Sequence, residues 1–284
     1  MKKILFIADF FSKDLLGGAE NNDANLLKYL SLTHNIRISH SHKLTSQLVD
    51  ESDFIIMSNF VNVSQEGLKY IQDTKPYIIY EHDHKYVRNR DPSVYPNFVV
   101  PDKEKINTEL YTNAKKVFVL SKICKEILEK NIPSVKAHSI GCSLWSEETF
   151  DYIESLLREE KGNDLCILKS DNPIKNYDKS LEYCKKNNII PFELSESVYK
   201  IFLKKMASCE RFLFIPGVLE TFSRVSAEAK MLDLKLLTTP KRLGFASEDI
   251  YSLSGIDLIN SFRNRNKKAL EAFKNELNVC DHTF

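Results

Sequence analysis

Several features that would settle a function quickly are missing from this chain of 284 residues. No apolar run approaches the roughly 18 residues of a membrane-spanning helix. "MKKILFIADFF" reaches Asp9 too early for a secretory signal peptide, so a cytoplasmic protein is expected. The cysteines, Cys124, Cys142, Cys166, Cys184, Cys209 and Cys280, show no C-x-x-C spacing. Neither a zinc site nor a disulfide framework is expected of them, and they read as reduced and structural. A formal net charge of +1 supplies no bulk field for nucleic acid or an anionic membrane. There is no internal repeat, no low-complexity linker and no D-x-D pair. "GGAE", Gly17 to Glu20, lacks the third glycine of G-x-G-x-x-G, and no acidic residue ends the second apolar run. Both points count against a nicotinamide dehydrogenase.

What is present describes a soluble globular protein of two ordinary domains, with 43% hydrophobic and 28% charged residues. From residue 1 to about 140, apolar runs alternate with amphipathic stretches: "KILFIAD", "NIRISHS", "DFIIMSN", "PYIIYEH", "KKVFVLS" and "SVKAHSI". This βαβ rhythm predicts a parallel sheet covered by helices, with ligands gathering beyond the carboxyl ends of its strands. A polar helix over about 146–161 separates it from a second, smaller α/β rhythm. The strands there are "DLCILKS", "IIPFEL", "RFLFIPG" and "LKLLTTP", with helices around 177–186, 196–206 and 223–232. The expected division is 1–145 and 146–284, with a final helix at 262–278 set against the first domain.

Four loops could carry chemistry. In "FIPGVLETFSRVSAEAKML", Pro216 and Gly217 end a strand, and Thr221 or Ser223 can cap the next helix, whose apolar stripe is Val225, Ala229 and Leu232. Glu220 precedes the cap and Glu228 lies eight positions on; an isolated pair of this kind would complement the helix dipole and face solvent. "LKSDNPIKN" places Lys169 and Lys175 where two ammonium groups can converge on a diphosphate, or simply be solvated. "EHDH" puts His82, Asp83 and His84 just past the fourth strand, too few ligands for zinc but well placed for a substrate contact. Gly17 and Gly18 open a helix whose backbone amides can approach an anion, or form only a tight turn. Of the basic stretches, "HKYVRNR" carries Lys85, Arg88 and Arg90 beside His82, and "FRNRNKK" near the C-terminus reads as a solvated helix face.

Together these pieces resemble the retaining nucleotide-sugar glycosyltransferases of the GT-B fold that carry the E-x7-E signature, of which this would be a short member. "GGAE" matches their glycine-rich first loop, His82 their histidine facing the donor sugar, Lys169 and Lys175 their basic pair, and Glu220 with Glu228 the signature itself. The resemblance implies an α/β GT-B protein of two Rossmann-like parallel-sheet domains facing a cleft, the C-terminal one reduced. It implies a UDP- or GDP-linked donor in that cleft, Glu228 on its ribose, Glu220 on the transferred sugar, and the amides of Thr221, Phe222 and Ser223 on the diphosphate, with no cofactor and no metal. Departures are Lys169 where arginine is usual, and the absence of glycines near Thr221 and Ser223. Lys85, Arg88 and Arg90 become candidates for the acceptor, with glycans ranked first and an anionic acceptor, such as a lipid-linked phosphate or modified nucleic acid, left open. A noncatalytic nucleotide-sugar-binding protein of the same fold is the alternative.

Overall fold

The computed structural model describes residues 2–15 and 17–279. The chain divides into two compact units, one built from residues up to Leu144 together with those from Arg265 onward, the other from Trp145–Asn264. In the first, strands β1 (Lys3–Ala8), β2 (Asn35–His40), β3 (Phe54–Met57), β4 (Tyr77–Glu81), β5 (Val117–Val119) and β6 (Ala137–Ser139) alternate with helices α1 (Gly18–Leu30), α2 (Ser46–Asp50), α3 (Gln65–Thr74), α4 (Thr108–Asn113) and α5 (Lys122–Asn131). All pairings in this six-stranded sheet are parallel, in the order β2-β1-β3-β4-β5-β6.

Strand composition follows position in the sheet. The central strands "FIIM" and "YIIYE" are buried at every residue, because helices cover both faces of a parallel sheet. Edge strand β2, "NIRISH", is mostly exposed or half-exposed and polar, which guards an unpaired edge. Side chains of Thr45 and Ser64 accept from the first-turn amides of α2 and α3, stopping the preceding loops where the helices begin.

The second unit holds helix α6 (Glu147–Ser155), then β7 (Asn163–Leu168), α7 (Tyr177–Lys186), β8 (Phe192–Leu194), α8 (Tyr199–Ala207), β9 (Cys209–Phe214), α9 (Arg224–Met231) and β10 (Lys235–Thr238). Its four-stranded sheet is parallel as well, in the order β10-β9-β7-β8. The aromatic rings of Trp145, Phe222, Phe245 and Phe262 form a cluster, with Phe262 5.0 Å from Trp145 and 5.5 Å from Phe245. These rings supply much of the apolar area that a sheet of four strands cannot bury alone.

Helix α10 runs Gly255–Val279, longer at its start than the apolar periodicity suggests. Its first turns belong to the second unit, and its later part to the first. There Phe273 stacks on Phe118 at 4.0 Å and meets Tyr80 edge-on at 4.9 Å. Among the described residues, no helix is long and apolar enough to cross a membrane, and the described cysteines are free thiols, all buried.

Candidate functional site

In both sheets the strand order reverses beside the first strand of the unit, between β1 and β3 and between β7 and β9. Connections leave such a point in opposite directions, so the loops beyond it splay apart and leave room for a ligand.

At the second of these points the loop after β7 meets the loop after β9. Gly217 donates its N–H to the carbonyl of Ile174 at 3.0 Å, and a Cβ at Gly217 would lie 3.1 Å from that same oxygen, so glycine permits the approach. Arg242 donates to the Gly217 carbonyl at 2.8 Å and holds the turn from the other side. The Lys175 ammonium then reaches the Glu220 carboxylate at 2.8 Å, joining residues 45 positions apart. Both are partly exposed, the side chains at 28% and 11%. Lys169 faces elsewhere, with its ammonium 2.7 Å from Glu193 and about half exposed; that contact holds the Glu193 carboxyl below its usual range. The two lysines thus sit on different carboxylates.

Helix α9 begins at Arg224, four positions beyond Glu220. Ser223, the residue before its first turn, adopts φ +73, a backbone region that favours glycine. Its side chain does not cap the helix but meets the Ser226 hydroxyl at 2.9 Å. Phe222 is fully buried against Trp145 and Phe245, so only its backbone serves the loop.

Glu228 corrects the picture of a solvated carboxylate. It is 3% exposed, and its Oε1 accepts from Trp145 Nε1 at 2.9 Å and Tyr199 Oη at 2.5 Å, with Arg224 Nε at 3.5 Å. The Arg224 guanidinium lies 4.6 Å from the Trp145 ring centre. Burial, and next the Glu228 charge, push the Tyr199 hydroxyl far up, so it stays protonated and donates. All three contacts fall on Oε1.

In the first unit His82 is buried, and its Nε2 lies 3.1 Å from Asp23 Oδ1. Asp23, 1% exposed, also takes the Ser58 hydroxyl at 2.7 Å to each oxygen. A carboxylate only accepts, so the ring proton at this contact is on Nε2. The start of α1 is closed by its own side chain: a Cβ at Gly17 would lie 2.2 Å from Glu20 Oε2. Gly18 is the first residue of that helix. Glu20 is buried, which raises its carboxyl above the usual range. It brings negative charge to the positive helix end that the glycine loop was expected to offer to a ligand.

Lys85 lies inside the fold, 2% exposed, with its ammonium 2.8 Å from both Glu81 and Asp83. Burial alone would lower it, but those two carboxylates outweigh burial and hold it at about 12. Its charge is therefore already paired. Arg88 and Arg90 are exposed at 63% and 53% of their side chains. Among the described residues, no cluster of three His, Cys, Asp or Glu side chains is arranged to hold a metal.

The residues overlooked in the sequence are those that hold the named ones. Arg224 could have been found from its i,i+4 spacing to Glu228, and Asp23 from its helical phase with Leu26 and Leu30 on the buried face of α1. Ser58, Trp145 and Tyr199 carry no such local signal.

No protein-family model and no curated protein sequence matches this chain. Solved structures do resemble it. Anabaena Alr3699/HepE in complex with UDP and glucose is 14% identical with a TM-score of 0.53, covering 97% of this chain and 100% of that one. An alpha,alpha-trehalose-phosphate synthase (UDP-forming) from Burkholderia vietnamiensis is 8% identical at a TM-score of 0.54, covering 98% and 96%. The UDP-GlcNAc 2-epimerase of Methanocaldococcus jannaschii, in complex with UDP-GlcNAc and UDP, is 11% identical at 0.50, covering 98% and 99%. At such identities the likeness is one of fold. That fold is GT-B, an α/β architecture of two parallel sheets, here with six and four strands.

Proposed function

We propose that this protein is a metal-independent, retaining glycosyltransferase of the cytoplasm, moving a hexose-like sugar from a UDP- or GDP-linked donor to an acceptor hydroxyl. The observation that carries the reading is the Lys175–Glu220 pair at the β7/β9 reversal, in the loop that leads into helix α9. An ammonium and a helix N-terminus are the groups that stabilise a departing diphosphate, whose charge grows as the anomeric C–O bond breaks. Glu220, beside that ammonium, is placed to orient the sugar and to stabilise positive charge developing on its ring. Glu228 offers Oε2 to the ribose, since its three donors all hold Oε1. In the first unit, His82 is the candidate for a contact with the sugar, and Arg88 and Arg90 are those for the acceptor.

The names of the solved neighbours support a nucleotide-sugar ligand, because all three are bound to, or named for, UDP or a UDP-sugar. A noncatalytic nucleotide-sugar-binding protein is the second reading. It is favoured by Lys169, which pairs with Glu193, and by Ser223 in a glycine-like conformation.

The test is a panel of UDP- and GDP-sugars with the purified protein in chelator, following nucleotide release and melting temperature. A bound nucleotide diphosphate at a hundredfold excess over its Kd should add about 2.7 kcal/mol of stability. Lys175→Ala should weaken binding and slow release, with Lys169→Ala the milder variant. Stabilisation without release by any donor would favour the noncatalytic reading. Absence of any nucleotide effect, or wild-type behaviour of Lys175→Ala, would refute the donor placement.

A further inference from the structure

Around Lys85, Arg88 and Arg90 the first unit contains a cavity of about 610 Å³ between the loops that follow β3 and β4. Three of its lining residues are cationic, Lys85, Arg88 and Arg90, and none is acidic. The balancing carboxylates, Glu81, Asp83 and Glu104, do not line it. The rest of the wall is largely apolar: Phe60, Val63 and Leu68 are buried, Val61 is 53% exposed at the rim, and Ile106 closes one side. The Lys85 ammonium sits 5.3 Å from the centre of the Phe60 ring, so charge and apolar surface meet within the same wall.

The arginines keep most of their donors for a ligand. Arg90 gives one N–H to Asp83 at 2.9 Å, and Arg88 approaches Glu104 only at 3.6 Å and a backbone carbonyl at 3.4 Å. A guanidinium has five N–H groups in a planar fork matched to phosphate oxygens. Lys85, held by its two carboxylates, is a fixed positive charge beneath them. A sugar hydroxyl would find few neutral polar partners here, since Gln65 and Asn107 are the uncharged polar side chains of the lining. A purely apolar guest would leave two guanidinium groups facing it.

We propose that this cavity binds an amphiphilic phosphate, with its anionic head on Arg88 and Arg90 above Lys85 and its apolar tail along Phe60, Val61, Val63 and Ile106. As an acceptor site it rests on the transferase reading, and it then names the acceptor as a lipid-like phosphate rather than a plain glycan. As a binding site it stands without that reading.

The experiment is calorimetric titration of the full chain with octyl phosphate, inorganic phosphate and 1-octanol, alongside UDP and GDP. Octyl phosphate should bind about tenfold or more tightly than either fragment of it, because head and tail are held together. The double variant Arg88→Ala/Arg90→Ala and the single variant Val61→Asp should each cost about tenfold in octyl phosphate affinity and leave UDP or GDP affinity unchanged. Because these side chains are exposed, the melting temperatures of both variants should match the parent, which serves as the folding control. Cosedimentation with phosphatidic acid vesicles but not phosphatidylcholine vesicles assigns the head to a membrane lipid. Octyl phosphate binding without cosedimentation assigns it to a free amphiphile. Octyl phosphate binding no tighter than inorganic phosphate, or an unaltered affinity in the arginine variant, overturns the proposal. Loss of nucleotide binding alone would instead sink the donor reading and leave the cavity's role intact.

Discussion

Replacing Glu228 by alanine removes the acceptor on which three donors converge inside the second unit. The Trp145 indole N–H is 2.9 Å from Glu228 Oε1, and Trp145 is 1% exposed, so water cannot take over that bond. The Tyr199 hydroxyl loses the acceptor at 2.5 Å, and the Arg224 guanidinium, 10% exposed and packed on Trp145, loses a carboxylate at 3.5 Å. The buried indole donor costs roughly 1–2 kcal/mol, the part-buried phenol about 0.5–1 and the charged guanidinium about 1.5–2, so about 3–5 kcal/mol is expected in all. With a urea slope of about 2 kcal/mol/M, the midpoint should fall by roughly 1.5–2.5 M.

Trp145 is the sole tryptophan, so its fluorescence reports this unit selectively. Glu228→Gln keeps an oxygen acceptor and should lose only about 1–2 kcal/mol. Glu220→Ala breaks a partly exposed ion pair and should cost about 1 kcal/mol or less. Glu220 and Glu228 therefore separate in their contribution to stability. A Glu228→Ala protein that unfolds within about 0.5 kcal/mol of the parent would mean a carboxylate in water, and the burial argument would fall.

Two further outcomes follow from the first unit. Asp23→Asn replaces an accepting carboxylate with an amide that can also donate, so nitrogen NMR of His82 should show a smaller share of the Nε2–H form; an unchanged tautomer would disprove the clamp. His84 is buried, and burial holds its imidazole below the ordinary 6.5 against the opposing pull of Glu81, Asp83 and Asp91. A group depressed in the folded state stabilises above its unfolded value, so that contribution is lost as pH falls below 6.5. His84→Asn, chosen because position 84 has φ +57, should flatten the loss of stability between neutrality and about pH 5. Parallel pH profiles for parent and variant, measured by circular dichroism in urea, would contradict this assignment.

The strand positions were legible in the sequence because strand patterning is local. "DFIIMSN" and "PYIIYEH" are continuous apolar runs bounded by polar residues, and they become β3 and β4; "NIRISHS", polar among its apolar residues, becomes an edge. The 177–186 helix was readable for the same reason, from composition and spacing within a few turns. The loops at which chemistry gathers followed from a general rule about parallel sheets rather than from their own residues.

Tertiary structure alone decided which partners meet. Strand order, and with it the meeting of Lys175 with Glu220, depends on how connections cross the sheets, which no local period encodes. His82 finds Asp23 across 59 positions and Glu228 finds Trp145 across 83, so their geometry arises from packing rather than spacing. Burial reversed the expectation for Glu228: a glutamate on a helix is by default solvated, and only the arrival of an indole, a phenol and a guanidinium offsets the desolvation of its charge. Lys85 shows the same effect with the sign exchanged. A lysine in a basic run reads as surface, yet a carboxylate at the end of β4 and another in its own loop hold it inside, because a buried charge persists only where opposite charge is placed around it.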